Sequence, residues 1–151
     1  MSGDRIIWFG RYEGWLRWLC HGVKDKDAEC LRKAALLFDM MLPDTEETVV
    51  VPMPAHTGKA DAMLMVMFMM RAWSPRRWYA PIIECDPHEP CYEQKKQGHS
   101  PSAFKMRLVG GARVPEGKRI FVIDNVVASG ATAAAALAAL PGARVCTLAK
   151  S

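Results

Sequence analysis

The clearest chemical pattern in the chain lies between residues 119 and 140. An apolar run there ends in Asp124 and Asn125, a loop of small residues follows, and an alanine-rich run typical of a helix comes next. The first backbone N–H groups of a helix have no intrahelical acceptor, and the helix dipole favours an anion at that end. The junction therefore predicts a binding site for an anion.

Polar groups at this junction suit a phosphate attached to a sugar. Backbone N–H groups and two hydroxyls would hold the phosphate, and Gly130 would let the backbone close around it. Asp124 and Asn125, at the carboxyl end of the strand, could hydrogen-bond the sugar hydroxyls. The alternative is an ordinary strand, turn and helix in which the glycine serves only the turn. The predicted phosphate loop consists of Val126, Val127, Ala128, Ser129, Gly130, Ala131 and Thr132.

The same segment resembles a known signature. Residues 122–132, Val-Ile-Asp-Asn-Val-Val-Ala-Ser-Gly-Ala-Thr, are similar to the phosphoribosyl-pyrophosphate (PRPP) signature of type I phosphoribosyltransferases, in which an apolar strand leads to two acidic residues and a Thr/Ser/Gly loop. The resemblance implies a catalytic, ribose-binding pair at Asp124 and Asn125, the 5′-phosphate on residues 126–132, and Mg²⁺ bound together with PRPP. Asn125 stands where a second acid is usual, so it offers a hydrogen bond to ribose but no negative charge.

A second loop follows the β-branched run at residues 48–51. Ligands of open parallel sheets bind beyond the carboxyl ends of the strands, where this loop is expected. Gly58 permits close backbone approach, and Lys59 supplies a point charge. In the resembling family the corresponding loop holds pyrophosphate, which implies that role for Thr57, Gly58 and Lys59. A surface turn with a solvated lysine is the alternative.

Two further stretches narrow the resemblance to the ComF/GntX-type phosphoribosyltransferases. Residues 9–24 are similar to the aromatic-rich turn and short helix of that subgroup, and residues 51–54 to its Val-Pro-Val-Pro strand end. The cysteine-rich zinc module of the subgroup is not recognisable. The resemblance implies a lid over residues 84–101 that closes on the ligand, with Lys95 and Lys96 contacting pyrophosphate.

The cysteines and histidines of residues 84–99 permit a different interpretation. Cys85, His88 and Cys91 are spaced by three residues, and His99 could complete a ligand set of the kind that zinc prefers. The Cys-x-x-Cys pairs of zinc ribbons are missing, so incidental cysteines and histidines in a loop are the favoured interpretation. His56 is the one histidine that we assign to the site, whereas His21 is expected on a helix surface or in the core.

The length and the order of the elements indicate the fold class. The 151 residues suit one domain, residues 1–151, and half of them are hydrophobic. Apolar runs alternate with helical segments, which indicates an α/β fold with a mainly parallel central sheet flanked by helices. The resemblance adds a small N-terminal hood. We predict strands at 6–9, 48–51, 78–83, 119–124 and 143–148, a hairpin arm at 104–109, and helices from 15, from 28 after the N-cap Asp27, at 62–73 and at 133–140.

Cysteine usage and apolar run lengths predict a cytoplasmic protein. Five cysteines without a framework-like spacing favour a reducing compartment. The longest apolar stretch, residues 62–70, is far short of the roughly 20 residues that cross a bilayer, and Asp4 and Arg5 argue against a signal peptide. The net charge of +4 suits phosphorylated ligands but is too small to indicate nucleic acid by itself.

The Met-rich helix at 62–73 is apolar nearly all round, so we expect cover on both of its sides. Burial in the core is the favoured form of that cover, and a homodimer interface is the alternative.

The resemblance implies an enzyme that transfers a 5-phosphoribosyl group from PRPP to a nitrogen acceptor and releases pyrophosphate. PRPP or a nucleoside monophosphate is the expected ligand, and no residue identifies the acceptor. One alternative is a non-catalytic regulatory protein that binds PRPP or a nucleotide, which Asn125 favours. Another is a DNA-uptake-associated accessory protein with a basic and aromatic patch. That patch would comprise Arg71, Trp73, Arg76, Arg77 and Trp78, although a solvated helix end with core tryptophans is favoured over it.

Overall fold

Five parallel strands form the central sheet of the protein. The computed structural model describes residues 5–88, 105–114 and 116–151. The strands of the sheet are β1 (Ile6–Arg11), β2 (Thr48–Pro52), β3 (Trp78–Tyr79), β6 (Arg119–Val127) and β7 (Arg144–Lys150). Their order across the sheet is β1-β7-β6-β2-β3, and every pairing is parallel. A separate antiparallel pair consists of β4 (Ile83–Cys85) and β5 (Met106–Leu108).

The helices of the described residues begin close to where the sequence predicts them. They are α1 (Gly14–Lys24), α2 (Ala28–Met41), α3 (Ala62–Trp73) and α4 (Ala131–Ala139). α2 begins directly after Asp27, whose side chain accepts a hydrogen bond from the backbone N–H of Cys30 at 3.0 Å. Such a cap satisfies a donor that the first helical turn leaves open, which explains the sharp boundary.

Helices α1, α2 and α3 cover one face of the sheet, and α4 with the β4–β5 pair covers the other. Along β6, Phe121 and Ile123 pack into one apolar cluster with α1, α2 and α3. Ile120 and Val122 pack into a second cluster with α4, β4 and β5. Because successive side chains of a strand point to opposite faces, this alternation defines two layers around one sheet. The predicted α/β class with a mainly parallel sheet flanked by helices is confirmed.

The N-terminal segment contributes to the main sheet rather than to a separate layer. β1 pairs in parallel with β7, with Ile6 opposite Val145 and Arg11 opposite Lys150. α1, which follows β1, packs against α2, β6 and β7. The hood that the resemblance implies stays a prediction.

The single strand predicted at residues 78–83 is wrong, because the chain changes sheets there. Trp78 and Tyr79 pair with β2, whereas Ile83–Cys85 pairs with β5. Pro81 lies between the two strands, and proline has no backbone N–H to continue a ladder. The central strand β6, in contrast, is longer than predicted and runs three residues past Asp124. α4 begins at Ala131 rather than at residue 133.

Burial in the core, the favoured form of cover for α3, accounts for only one side of the helix within the described residues, and a homodimer interface stays a prediction. Met63, Val66, Met67 and Met70 are buried between α2 and the sheet. Phe68, in contrast, is 53% exposed. The helix is apolar all round, but only one of its faces is covered by the rest of the described chain.

Polar side chains from the segment after α3 donate hydrogen bonds to main-chain oxygens at the carboxyl ends of both α2 and α3. Arg77 is 3% exposed and donates to the main-chain oxygens of Asp39 (2.8 Å), Leu42 (2.6 Å) and Pro43 (2.8 Å), while its guanidinium forms an ion pair with the Asp39 carboxylate. Tyr79 donates to the oxygen of Ser74 at 2.7 Å. These contacts satisfy carbonyls that the last helical turn leaves without partners.

Among the described residues, every helix falls short of the length and apolar character that a membrane span requires.

Candidate functional site

A cavity of about 720 Å³ opens at the carboxyl ends of the parallel strands. The cavity lies beyond the end of β2, because β2 stops at Pro52, opposite Ile123, whereas β6 continues to Val127. Pro54 has no backbone N–H, so β2 cannot extend its ladder alongside the end of β6. The cavity is lined by the end of β6 with the start of α4, the residues after β2, and one face of α1 with Tyr12 before it. His88, two residues of β7 (Val145 and Thr147) and Ser151 complete the lining among the described residues.

Asp124 lies on β6 at the edge of this cavity. Its Cα is paired with that of Thr147 on β7, and its Oδ1 accepts a hydrogen bond from the backbone N–H of Asn125 at 2.8 Å. Burial raises the pKa of the Asp124 carboxyl to about 6, and the hydrogen bond from Asn125 opposes that shift without cancelling it. Among the described lining residues Asp124 is the only one with a carboxylate side chain, so it is the natural partner for hydroxyl donors of a ligand.

Asn125 serves a different purpose from its neighbour. Its Nδ2 donates to the main-chain oxygen of Cys20 on α1 at 2.8 Å. Its Oδ1 is buried and has no hydrogen-bond partner within the described residues. The amide therefore ties α1 to the end of β6, and the residue lines the cavity without directing its donor at a ligand.

The predicted phosphate loop is shorter in the structure than in the sequence interpretation. Val126 and Val127 belong to β6 and lie opposite Ala149 and Lys150 of β7. The turn proper comprises Ala128, Ser129 and Gly130, and Gly130 adopts the left-handed conformation (φ 84°) that glycine accommodates readily. All of the predicted loop residues except Ala131 line the cavity.

The amino end of α4 retains the donors on which anion binding depends. α4 has no side-chain cap at Gly130. One donor is engaged, because the N–H of Ala131 bonds to the Ser129 hydroxyl at 3.2 Å. The first turn of any helix presents further N–H groups, and the side of this turn that includes Thr132 and Ala133 faces the cavity.

The turn at Thr57, Gly58 and Lys59 is not part of the cavity wall. The N–H of Gly58 donates to Ala55 at 2.9 Å, and its oxygen accepts from the N–H of Cys85 at 2.9 Å. A Cβ on Gly58 would stand 2.8 Å from the Cys85 oxygen, so the glycine (φ 114°) is required by close approach to β4. The residues of this segment that do line the cavity are Pro54, Ala55 and His56.

One side of the cavity, which the sequence interpretation missed, is formed by α1 and by Tyr12 just before it. Tyr12, Arg17, Cys20, His21 and Lys24 line the cavity. The spacing 17, 20, 21 and 24 places these positions on one face of a helix, which is the signal that was available in the sequence. The Tyr12 hydroxyl and His21 Nε2 are hydrogen-bonded at 2.9 Å, so His21 is a cavity residue as well as an exposed helix residue.

The Cys20 thiol is a structural group rather than a nucleophile. Burial, and then the charge of Asp124, raise the pKa of Cys20 to about 12. A thiol with such a pKa stays protonated near neutral pH and is not activated for attack.

The proposed lid contacts Lys95 and Lys96 lie outside the described residues, as do Cys91 and His99 of the zinc alternative. Of that set, Cys85 is buried in β4, and His88 lines the cavity with its backbone N–H bonded to the oxygen of His56 at 2.8 Å. Within the described ranges no three His, Cys, Asp or Glu side chains come together as a metal site. The zinc alternative therefore stays a prediction.

One carboxylate in the cavity is compatible with a magnesium ion that arrives with its ligand. Mg²⁺ commonly takes one or two protein carboxylates and completes its shell with phosphate oxygens and water. Asp124 could supply the protein oxygen, whereas the Asn125 donor is directed at Cys20. Without a phosphorylated ligand, the described cavity residues offer the ion a single carboxylate side chain.

No model of a known protein family matches this chain, and no curated protein matches it either.

Proposed function

We propose that this protein binds PRPP or a nucleoside monophosphate in the cavity at the end of β6, and that it is a phosphoribosyltransferase of type I fold, similar to the ComF/GntX subgroup. The observation that carries the proposal is the shared cavity of Asp124 and the amino end of α4. A carboxylate suits sugar hydroxyls, and a helix amino end suits a phosphate. A ribose 5-phosphate unit needs both groups side by side.

The roles follow from the positions of the groups. The turn at Ala128, Ser129 and Gly130, with the first turn of α4, would bind the 5′-phosphate. Asp124 would accept hydrogen bonds from the ribose hydroxyls. The pyrophosphate would lie toward the residues after β2, where His56 lines the cavity and Thr57–Lys59 does not. Contacts from Lys95 and Lys96 remain a prediction from the resemblance.

The proposed reaction is displacement at the anomeric carbon of the ribose. A nitrogen nucleophile forms the new C–N bond, the C–O bond to pyrophosphate breaks with its electron pair on the leaving oxygen, and the nitrogen releases a proton. Ionised Asp124 would stabilise positive charge that develops on the sugar, an electrostatic effect strengthened by burial. Mg²⁺ bound with PRPP would supply charge neutralisation at the pyrophosphate.

A pyrophosphate-release assay with PRPP, Mg²⁺ and a panel of nitrogen bases and amines tests the proposal. We expect release that depends on an acceptor in the wild-type protein and its loss in Asp124→Ala. Ser2→Ala, at a position that the resemblance does not assign to the site, serves as the matched control. Acceptor-dependent release at the wild-type rate from Asp124→Ala would contradict the assignment.

A non-catalytic PRPP or nucleotide sensor is the second candidate, and the engagement of Asn125 with α1 favours it. A site with one acid binds ribose but stabilises a cationic transition state less than a site with two. A sensor would gain thermal stability from PRPP and Mg²⁺ and would release no pyrophosphate with any acceptor.

The DNA-associated alternative has less support. Arg77 is buried and bonded to α2, so it is not available to a nucleic acid. A homodimer stays a proposal for the exposed face of α3, where Phe68 and Met65 are 53% and 42% exposed.

A further inference from the structure

The outer side of the helical layer exposes several large apolar side chains. α2 packs against both α1 and α3 over one face of the sheet, so the sides of these helices that point away from the sheet adjoin one another. Large apolar residues on them expose between 42% and 78% of their surface. They are Trp15 and Trp18 of α1, Leu36 and Met40 of α2, and Met65 and Phe68 of α3, which together we call the outer helical face.

These residues belong to one surface. Within each helix the two residues of the outer helical face are three or four positions apart, so they lie on the same side of that helix. The ring centres of Trp15 and Trp18 are 6.4 Å apart. Lys33 Nζ of α2 lies 5.3 Å from the centre of the Trp18 ring, so the exposed surface of α1 continues directly onto α2.

The extent of the outer helical face matches what one protomer contributes to a homodimer. A large aromatic side chain can bury roughly 150–250 Å², so six large side chains at about half exposure present on the order of 600 Å² of apolar surface. Soluble monomers rarely expose a contiguous apolar patch above a few hundred Å². A standard interface removes about 800 Å² from each partner, and about 65% of that area is apolar in homodimers. The outer helical face therefore supplies about the apolar area that one half of such an interface needs.

The charges on the outer side of α2 favour a second copy over an anionic partner. Glu29 and Lys33 form an ion pair there, and Arg32 adds one positive charge. A membrane of anionic lipid or a nucleic acid attracts clusters of several cations, whereas this part of the described surface is nearly balanced in charge. In a two-fold interface each surface meets its own copy, so a strongly charged face would repel itself and a balanced one does not.

We propose that this protein forms a two-fold symmetric homodimer in which the outer helical face of one copy packs on the same face of the other. Because α2 lies between α1 and α3, the α2 helices of the two copies pack against each other at the centre of the contact. The exposed side of α3 is thus one part of a larger interface. This inference does not rest on the proposed function, because the outer helical face is separate from the residues that line the cavity.

Analytical ultracentrifugation of the full chain over a range of concentrations tests the proposal. We expect a reversible dimer with a Kd in the micromolar range or below, because interfaces of standard size reach such affinities. The temperature of unfolding should rise with protein concentration, since association stabilises the folded state by mass action.

Substitutions on the outer helical face should weaken the dimer. Phe68→Glu and Leu36→Glu bring an unpaired charge into the contact from two different helices, and each should raise the dimer Kd by about tenfold or more. Trp18→Gln should also weaken the dimer, whereas Trp78→Gln should not. Trp78 is a matched control, because it lies on β3 and is 53% exposed, close to the 48% of Trp18. Circular dichroism checks that each variant is folded.

Met40 reports on the contact directly. It is 78% exposed in the single chain, so burial in the interface should slow the oxidation of its thioether by dilute hydrogen peroxide. Peptide mass spectrometry should therefore show slower oxidation of Met40 in the wild-type dimer than in Phe68→Glu at the same protein concentration.

A wild-type protein that stays monomeric at every concentration would overturn the inference. A dimer that Phe68→Glu, Leu36→Glu and Trp18→Gln all leave intact, with Met40 oxidised as fast as in the monomer, would overturn it as well, since the contact would then lie elsewhere. Binding of a monomeric wild type to phosphatidylglycerol vesicles, weakened by Phe68→Glu, would overturn it in favour of a membrane as the occupant of this face.

Discussion

Asn125 of β6 donates from Nδ2 to the main-chain oxygen of Cys20 on α1 at 2.8 Å, across 105 positions of sequence. This contact joins the end of β6 to α1, beside the carboxyl of Asp124. An aspartate at the same position would direct a carboxylate oxygen at a carbonyl oxygen, and neither atom is a donor. The amide is therefore the side chain that this junction requires.

Asn125→Asp should accordingly destabilise the protein. The Cys20 oxygen would lose its donor and a second charge would lie beside Asp124, for which we expect a loss of roughly 1–3 kcal/mol in the free energy of unfolding at pH 8. Urea denaturation measures the loss. Asn125→Ala removes the hydrogen bond without adding charge, so it should lose less than the aspartate variant. Wild-type stability in Asn125→Asp would refute the proposed role of the amide.

Replacing Asp124 by asparagine should stabilise the protein at high pH and impair its ligand binding. Burial raises the pKa of this carboxyl from its usual value of 3.8 to about 6 in the folded protein. Because the pKa is higher in the folded protein, protonated Asp124 stabilises the fold fully below about pH 3.8. That contribution to the free energy of unfolding is lost as the pH rises to about 6. Above that range the buried charge destabilises the wild type by up to roughly 3 kcal/mol.

The measurement is urea unfolding of wild type and Asp124→Asn without ligand at pH 4 and pH 8. The variant should exceed the wild type at pH 8, and the advantage should shrink toward pH 4. Asparagine retains an Oδ1 that can accept the hydrogen bond of Asn125, so that contact does not confound the comparison. A difference that is independent of pH would show that burial does not raise this pKa.

Arg77→Met should unfold the carboxyl end of α2. The substitution removes three hydrogen bonds to main-chain oxygens and leaves the Asp39 carboxylate without its cation. Loss of one partner of a buried ion pair is expected to cost about 3–5 kcal/mol. Thermal unfolding compares it with Arg76→Met, an exposed neighbour that should change stability little. Similar effects of the two substitutions would contradict the structural role of Arg77.

Gly58→Ala separates a packing role from a ligand role. A Cβ at this position would stand 2.8 Å from the Cys85 oxygen, and the backbone has a positive φ of 114°. We expect a loss of about 1–3 kcal/mol in unfolding free energy. Gly110→Ala, where a Cβ would meet nothing within 4 Å, is the control. An unchanged stability together with weaker pyrophosphate binding would instead favour the role that the resemblance implies.

Local signals explain what the sequence could predict. The start of α2 depends on Asp27 and the next three residues, and β2 is a continuous β-branched run, so both were readable without the rest of the chain. The order of strand, small-residue turn and helix around Asp124 and Asn125 was readable for the same reason, although β6 continues to Val127.

Contacts between distant segments explain what it could not. The division of residues 78–85 between two sheets depends on β5, more than twenty positions later in the chain. Gly58 resembles a phosphate-binding glycine until the approach of Cys85 is known, and the engagement of Asn125 depends on Cys20. The cavity-lining residues of α1 become part of the site because β1 pairs with β7, which places the following helix against β6 and β7.

Titration calorimetry of PRPP into the full chain with Mg²⁺ tests the central claim most directly. We predict saturable binding that ribose 5-phosphate competes and ribose does not, with marked weakening in Asp124→Ala. The absence of any heat change attributable to PRPP or ribose 5-phosphate, or equal affinity in Asp124→Ala, would contradict a ribose phosphate site at the end of β6.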